Sequence, residues 1–472
     1  MNKFSKYLAS KRNIVRNMIN TLSQQYPFVS ILGTDVSGFK VMCDNKNTSI
    51  APSNVCESGF CIKVYNDGIY SEYSVNDINK SNFNEIIEHI NELTKEDLGP
   101  HVIKVKMLEE EEIKKHFKRN NIGEELKPNY IVEVLRNHIT ETIKDNEIIA
   151  CRIMFDTMEV SKMYYSNKKE LEQYYPYTSI NTYVMCRRGN DMKYGYSGDG
   201  TCSQVGALDL IPELLKSSIT DAKLLFDAEL PTPGIYDVIT DPGVTGLIVH
   251  EAFGHGVEMD MFVKDRAKSK EYINKQVASE IVNMHDGASA AFCVASYFFD
   301  DDGVLAHDTK IIENGILKRG ISDALSALEL GGGTEPTGNG RRESYKRKSY
   351  TRMTNTFFEK GTSKLSDMIK SIEYGYMLCR SNNGMEDPKN WGIQCTAYYG
   401  KEIKNGEFTG KVISPVVLSG YVVDLLCSIS AISTDFEING SGFCGKGYKE
   451  WVKVSDGGAY MKAKVKIGWS NK

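Results

Sequence analysis

The sequence predicts an α+β protein of two domains, a mixed α+β N-terminal domain and a β-rich C-terminal domain. At 472 residues the chain is long enough for two hydrophobic cores, and its 41% hydrophobic and 25% charged residues are ordinary globular values. Helical and strand patterns alternate through the first half, whereas the second half carries hairpin signals. The segment AELPTPG, residues 228–234, reads as a break between the two halves.

The N-terminal domain is predicted to cover residues 1–228. It begins with a basic segment whose apolar residues recur at helical spacing, which indicates a packed surface helix rather than a secretion signal. β-rich runs and helical periodicity locate the later elements. The predicted strands are residues 28–32, 60–65 and 148–155, and the predicted helices are residues 83–93, 130–143 and 207–225.

The C-terminal domain, residues 229–472, is predicted to be predominantly β. Asn314-Gly315 and Asn405-Gly406 each lie between strand-like runs, and Asn-Gly is the dipeptide that type I′ hairpin turns prefer. The sequence therefore predicts hairpins at residues 310–318 and 402–412. Short helices are predicted at residues 322–330, 365–374 and 418–432.

Charge, hydropathy and cysteine usage exclude several classes of protein. A net charge of -5 gives no sign of a nucleic-acid partner, because phosphate binding favours basic domains. No apolar stretch is long enough for a membrane span, so we expect a soluble chain. The eleven cysteines are scattered without paired spacing, which is typical of buried thiols in a reducing cytoplasm.

One segment carries the residue types of a catalytic zinc site. His250 and His255 are candidate imidazole ligands, and Glu251 is a carboxylate able to accept a proton from a zinc-bound water. Zinc lowers the pKa of such a water to about 7, which makes a nucleophile available at neutral pH. The pattern is the familiar His-Glu-x-x-His helix with one residue added.

The added residue changes the geometry of the predicted site. In a regular helix, positions i and i+4 lie about 40° apart around the axis, whereas i and i+5 lie about 140° apart. His250 and His255 can therefore bind one ion only if the helix widens into a π-type turn or bends. Gly254 and Gly256 flank the second histidine and are expected to permit that distortion.

The histidine pattern alone leaves the metal site open. In a chain of this composition, chance produces about 0.02 such patterns, so ordinary histidines on a buried turn remain an alternative. Spacing does not identify a third ligand, because catalytic zinc ligands are often remote in sequence.

The second half resembles the TldD/PmbA family of zinc peptidases in several blocks that occur in the family's order. The blocks are residues 243–260 (GVTGLIVHEAFGHGVEMD), 277–282 (VASEIV), 312–320 (with ENGILK), 335–345 (EPTGNGRRESY), 352–356 (RMTNT) and 442–446 (GFCGK). The first 200 residues match the family only loosely. The sequence after Lys446 departs from the expected Gln- and Pro-containing tail.

The resemblance implies a function and its site residues. It implies that His250, His255 and Cys444 bind zinc, that Glu251 is the general base, and that the substrate is an unfolded or extended peptide. In the family, TldD-type catalytic subunits commonly associate with metal-less TldE/PmbA-type subunits. The full motif makes this chain similar to the catalytic partner, as a homodimer or in a heterodimer with such a relative.

Further residues have both a functional and a structural interpretation. Asn339, Arg341 and Arg342 lie in a glycine-rich loop and could bind a substrate carboxylate, or the arginines could pair with structural carboxylates. Residues 352–358 could offer an edge for an extended peptide or form a core strand. Glu258 could orient a ligand imidazole or lie exposed.

Two other groups are interpreted as structural. The run Asp300-Asp301-Asp302 precedes Gly303, which is typical of a solvated turn. His285 and His307 have no partner at ligand spacing. The competing hypothesis for the whole chain is a non-enzymatic regulatory or scaffold subunit with a structural zinc. The number of protein ligands distinguishes the two, because three plus water permit catalysis and four close the site.

Overall fold

The computed structural model describes residues 4–95, 103–120, 123–447 and 449–469. Within them the first half of the chain forms one sheet of eight strands. The strands are β1 (Phe28–Asp44), β2 (Thr48–Pro52), β3 (Glu57–Asn66), β4 (Ile69–Val75), β5 (Ile113–Lys118), β6 (Ile148–Ser166), β7 (Lys169–Arg188) and β8 (Asp191–Thr201).

This first sheet is built around the long antiparallel hairpin β6–β7. The main path of the sheet is β4-β3-β1-β6-β7-β5, with β2 paired to β1 and β8 paired to β7. Only the pairing of β5 with β7 is parallel among these strands. Because the side-chain period of a strand is two, one face of β7 carries Ile180, Val184 and Cys186 into a core, and the other carries Tyr175, Tyr177 and Tyr183.

Five α-helices pack on the first half, as far as the structure describes it. They are α1 (Lys6–Leu22), α2 (Phe83–Leu93), α3 (Pro128–Thr142), α4 (Gln204–Asp209) and α5 (Ile211–Leu224). Helix α1 begins where the Ser5 side chain accepts a hydrogen bond from the amide of Leu8, which satisfies a free N–H of the first turn. Its apolar stripe, including Val15 and Met18, is fully buried against the sheet.

Among its described residues, the second half forms a larger sheet of eleven strands. They are β9 (Gly234–Thr240), β10 (Met284–Asp286), β11 (Thr309–Glu313), β12 (Ile316–Leu317), β15 (Asn355–Phe358), β16 (Tyr374–Asp387), β17 (Gly392–Lys404), β18 (Glu407–Ile413), β19 (Val416–Tyr421), β20 (Ala431–Asn439) and β23 (Ser455–Gly468). Two short hairpins lie beside it. They are β13 (Gly340–Arg341) with β14 (Tyr350–Thr351), and β21 (Phe443–Lys446) with β22 (Lys449–Lys453).

Short helices complete the second half. They are α6 (Pro242–Val249), α7 (Met259–Val263), α8 (Ala324–Leu330), α9 (Leu365–Lys370) and α10 (Val422–Cys427). Helix α6 is apolar on all sides and lies against β23 and β16, with Val244, Ile248 and Val249 in the core. It is the element that carries the histidine motif into the protein.

The α+β fold class is confirmed, and so are most of the predicted elements. Both Asn-Gly hairpins form, with Asn314 and Asn405 at φ of 50° and 51° and each following glycine at 78°. The helix predicted at residues 207–225 is divided at Leu210, two residues before Pro212.

The prediction of one helix over residues 418–432 is wrong, because only its middle part is helical. Residues Val416–Tyr421 form β19, which pairs with both β17 and β23, and only Val422–Cys427 are helical. The helix predicted at 365–374 likewise ends at Lys370, before β16. Pairing with distant strands outweighed local periodicity in both places, as tertiary context often does for short apolar runs.

The two sheets succeed each other along the chain. The first ends at Thr201 and the second begins at Gly234, and the predicted boundary at residue 228 lies between them. The division into domains at that residue stays a prediction. Among the described residues, no helix is long and apolar enough to cross a membrane.

Candidate metal centre

The histidine motif lies where helix α6 changes its winding. The helix begins at Pro242, and the side chain of Asp241 before it accepts a hydrogen bond from the amide of Val244. It continues to Val249 as an α-helix, and residues His250–Gly254 then form a π-helical turn. A short 3₁₀ turn, His255–Val257, follows. The predicted π-type distortion is confirmed.

The distortion brings three potential ligands to one point. The Nε2 of His250 lies 3.1 Å from the sulfur of Cys444, and the Nε2 of His255 lies 3.2 Å from it. All three ligand atoms lie within 4.8 Å of one another. Tetrahedral zinc, with bonds of about 2.0 Å to nitrogen and about 2.3 Å to sulfur, would separate such atoms by about 3.5 Å. The two nitrogens and one sulfur therefore fit a zinc ion.

Cys444 is presented by the β21–β22 hairpin. It pairs with Val452, and its side chain is buried while the neighbouring Phe443 is exposed on the opposite face. Burial alone would raise the pKa of the Cys444 thiol, but the imidazoles of His250 and His255 hold that pKa well below its ordinary value. The thiolate that a metal requires is thus favoured by its protein surroundings.

A carboxylate lies near the other ring nitrogen of each imidazole, but only the one beside His255 is within hydrogen-bonding distance. The Nδ1 of His255 lies 3.3 Å from Glu258, as its predicted orienting role requires. The Nδ1 of His250 has no hydrogen-bond partner, and the nearest carboxylate oxygen, on Asp456 of β23, lies 3.8 Å away. Such partners fix the tautomer and the ring direction of metal-binding histidines. Asp456 was not found by sequence reasoning, because it lies 206 positions from His250 and only the sheet brings them together.

One buried and one half-buried cation lie beside Glu258, and the buried one also contacts the thiol. The fully buried Arg352 donates to the Cys444 sulfur at 3.0 Å and to Glu258 at 3.2 Å. Lys446 lies 3.1 Å from Glu258 and donates to Asp260 at 2.7 Å. Burial tends to raise the pKa of Glu258, yet Lys446 and His255 hold that pKa well below its usual range. Arg352 was predicted only as part of a strand, not as a neighbour of the thiol.

The side chain of Glu251 lies against strand β16, which forms one side of the metal centre. Strand β16 passes so close that a Cβ on Gly384 would lie 2.4 Å from the Cγ of Glu251, so the general-base candidate packs directly on bare backbone. Two residues later, Glu386 has both carboxyl oxygens buried without a hydrogen-bond partner. Burial raises the pKa of Glu386 well above its usual range, and the nearby Glu251 and Glu258 carboxylates add to the increase.

The three predicted substrate-binding residues lie in different surroundings. Arg342 is buried and pairs with Glu72 of β4 at 2.6 Å, the structural alternative left open above. Asn339 is fully buried and donates to Asp286 and to the carbonyl of Arg352. Arg341 donates to the carbonyl of Met353 and lines a cavity of ≈ 100 Å³ between the two sheets. Arg342 lines the same cavity, whereas Asn339 does not.

The remaining predicted features are structural. The prediction of a solvated turn at Asp300–Asp302 is wrong, because all three residues are buried. Asp300 accepts hydrogen bonds from backbone amides, and Asp302 pairs with Lys63 of β3. Residues Asn355–Phe358 form β15, a buried core strand rather than a free edge. His285 lies between Asp308 and Glu359, away from the three ligands.

Sequence comparison places residues 233–460 in the PmbA/TldA metallopeptidase C-terminal domain. A metalloprotease of Methanocaldococcus jannaschii is 32% identical over 282 residues, 59% of this chain and 61% of the relative. A zinc metalloprotease TldD homolog of Saccharolobus solfataricus is 35% identical over 240 residues, 50% of this chain and 52% of the relative. The matches thus span between about half and three fifths of these relatives' length.

Solved structures share the whole fold at low identity. TldE from Thermococcus kodakarensis superimposes with a TM-score of 0.78 at 17% identity, covering 96% of this chain and 99% of that one. A protein from Thermotoga maritima described as a modulator of a DNA gyrase gives a TM-score of 0.77 at 17% identity, covering 97% and 100%. At this identity the likeness establishes the fold and not the activity.

Proposed function

We propose, on the premise that the chain belongs through residues 233–460 to the PmbA/TldA metallopeptidase family, that it is a zinc peptidase acting on unfolded or extended peptides. The observation that carries the proposal is the convergence of His250, His255 and Cys444, with Glu251 beside the first ligand. Three protein ligands leave a fourth position for a reacting group, which is the arrangement of catalytic zinc sites.

Different side chains have different roles in the proposed peptide hydrolysis. Zinc, when bound, supplies a Lewis acid and lowers the pKa of a water to about 7. Glu251 takes the proton of the attacking water and delivers it to the leaving amine. Glu258 orients the imidazole of His255, and Arg352 donates a hydrogen bond to the sulfur of Cys444. Arg341, at the cavity between the sheets, contacts the peptide.

Two variants test the separate roles of ligand and base. Glu251→Gln removes the base but no ligand, so it should retain stoichiometric zinc and lose about 10²-fold or more of the cleavage rate. Cys444→Ala removes a ligand, so it should lose both zinc and activity. Zinc is measured by elemental analysis after dialysis, and cleavage is followed on unstructured peptides with and without a chelator. Peptidase activity retained by Glu251→Gln would contradict the role of Glu251.

The second candidate is a non-enzymatic subunit with a structural zinc. Within the described part of the chain, His250, His255 and Cys444 are the one cluster of three or more potential ligands, which favours an open site. X-ray absorption of the zinc-loaded protein counts its ligands directly. Two nitrogens, one sulfur and one light atom from solvent support catalysis, whereas a fourth protein ligand would support the structural alternative.

The partner is proposed on the same family grounds. A protein of the same fold is TldE. The histidine motif of this chain resembles that of the family's catalytic TldD-type subunits. We therefore propose that the chain works as an assembly of two subunits of this fold, either identical or paired with a metal-less relative.

A further inference from the structure

One face at the far end of the first sheet is exposed and apolar. Tyr183 and Met185 on β7 and Met192, Tyr194 and Tyr196 on β8 are each between 38% and 56% exposed. The pairings Tyr183 with Tyr196 and Met185 with Tyr194 place these side chains on the same side of the sheet. We call this set the β7–β8 face.

The opposite side of the same strands is fully covered. Val184 and Cys186 alternate with the exposed residues and are buried under helices α3 and α5. Closer to the middle of β7, the exposed side of the sheet continues into Tyr175 and Tyr177, which are buried against the second half of the chain. One side of the first sheet is therefore covered by the second half of the chain near Tyr175 and Tyr177 and left uncovered at the β7–β8 face.

The outer edge of β8 is closed to strand addition. The Tyr398 hydroxyl donates to the carbonyl of Tyr194, and the Asn439 amide donates to the carbonyl of Gly198. These two carbonyls point away from β7 and would otherwise accept hydrogen bonds from an added strand. A partner must therefore use the face of the sheet rather than its edge.

The face supplies most of the apolar area, though not the whole area, of one side of an ordinary subunit interface. With about 200 Å² for each large side chain, the exposed fractions leave about 450 Å² of mostly apolar surface. A standard interface buries about 800 Å² on each partner, somewhat over half of it apolar, so this face supplies nearly all of the apolar part. Tyrosine and methionine are also the residue types enriched in such interfaces.

The charges around the face suit a polar rim. Arg152 on β6 lies beside Tyr183 and pairs in register with Asp44 on β1, while Arg187 lies beside Met192. Both arginines are exposed at the margin, and the five central side chains are uncharged. An apolar centre with a charged margin is the usual anatomy of an interface.

We propose that the β7–β8 face binds the same face of a second copy of this chain. Identical patches meet across a two-fold axis in the commonest kind of protein dimer. The proposal names the surface for the two-subunit assembly proposed above and is independent of the zinc chemistry, since none of its residues is a metal ligand.

Sedimentation of the purified full-length protein over a wide range of concentration tests the proposal. The wild-type chain should sediment as a dimer. Met185→Glu and Tyr194→Glu each bury a carboxylate at the centre of the contact and should raise the dimer dissociation constant about 30-fold or more, the size expected for an interface hot spot. Both variants should keep stoichiometric zinc, which separates failure of the dimer from failure of the metal centre.

A matched control uses an exposed apolar residue elsewhere. Ile235 on β9 is 74% exposed, and Ile235→Glu should leave the sedimentation of the wild type unchanged. A wild-type monomer at every concentration would overturn the proposal, as would a dimer that persists in both face variants. A monomer whose Tyr194→Glu variant has a raised KM for peptide would show that the face binds substrate instead.

Discussion

Lys453 on β22 is a buried amine that the proposed chemistry does not use. Its side chain donates to the Ser179 hydroxyl on β7 and to the carbonyl of Ser441, each at 3.0 Å, and joins the first sheet to the hairpin of Cys444. Burial lowers the pKa of Lys453 from 10.5 to about 7, although nearby acidic groups oppose the shift. The folded chain thus holds this amine neutral over much of the alkaline range.

Replacement of Lys453 by methionine should change how stability depends on pH. Between about pH 7 and about pH 10 the unfolded chain binds a proton on Lys453 that the folded chain does not, so the free energy of unfolding of the wild type rises with pH. In this window the free energy of unfolding of the wild type, relative to that of Lys453→Met, should rise by up to about 1.4 kcal/mol per pH unit. Denaturant unfolding of both proteins from pH 7 to 9 measures the difference. If the difference in unfolding free energy between the two proteins does not change from pH 7 to 9, Lys453 is not neutral in the folded chain.

Individual residue roles were predictable only where they have a local signal. His250, Glu251 and His255 lie within six positions, so their spacing suggested both a site and its distortion. Cys444 was assigned only through resemblance, because nothing near it in sequence distinguishes it from ten other cysteines. Arg352 contacts the thiol across 92 positions, and no spacing rule reaches that far.

At the scale of elements, the π turn at the end of α6 depends on Gly254 for a reason other than flexibility. Gly254 has φ of -69° and ψ of -66°, a conformation open to any residue. A Cβ there would lie 2.0 Å from the sulfur of Met353, which is itself fully buried in the core. The glycine is needed for close packing, and the sequence predicted the right residue with an incomplete reason.

Gly254→Ala should therefore weaken the metal site. The methyl group must displace Met353 or the turn, which moves His255 from its ligand position and should lower zinc affinity about tenfold or more. Competition with a chelating dye measures the affinity. Gly243→Ala is the matched control, because a Cβ in the same helix would meet no atom closer than 3.5 Å. Equal zinc affinity in the two variants would contradict the packing explanation.

Elements whose signal is local were predicted best. The two Asn-Gly turns specify positive φ at their own residues, and both hairpins form around them. Residues 418–432 failed because their apolar run suits either a helix or a buried strand, and the choice was made by β17 and β23, which are distant in sequence. The π turn is a local distortion that two histidines five positions apart made predictable.

At the scale of the whole molecule, buried ion pairs join the two halves. Arg342 pairs with Glu72, Lys63 with Asp302 and Lys162 with Asp301, each connecting the first sheet to the second half. Burial opposes charge on Glu72, but Lys63 and Arg342 hold its pKa below the usual range. This network could not be read from the sequence, because its members lie up to 270 positions apart.

Breaking one member of this network should destabilise the protein without removing zinc. Arg342→Met leaves Glu72, whose side chain is 22% exposed, with Lys63 at 3.1 Å as its remaining cation, so the loss should be about 1 to 3 kcal/mol, less than for a buried charge without any partner. Replacing Glu72 by methionine as well should recover part of that loss, since the double variant buries neither charge. Denaturant unfolding of the wild type, both single variants and the double variant measures the coupling between the two residues.

The same variants separate the structural interpretation of Arg342 from the substrate-binding one. If the ion pair is its role, Arg342→Met lowers the free energy of unfolding and leaves the KM for peptides unchanged in the folded fraction. Arg341→Met is the matched control, because Arg341 lines the same cavity as Arg342 but has no carboxylate partner among the described ion pairs. It should raise KM with a small change in stability. A raised KM in Arg342→Met together with an unchanged free energy of unfolding would instead support a role for Arg342 in substrate binding.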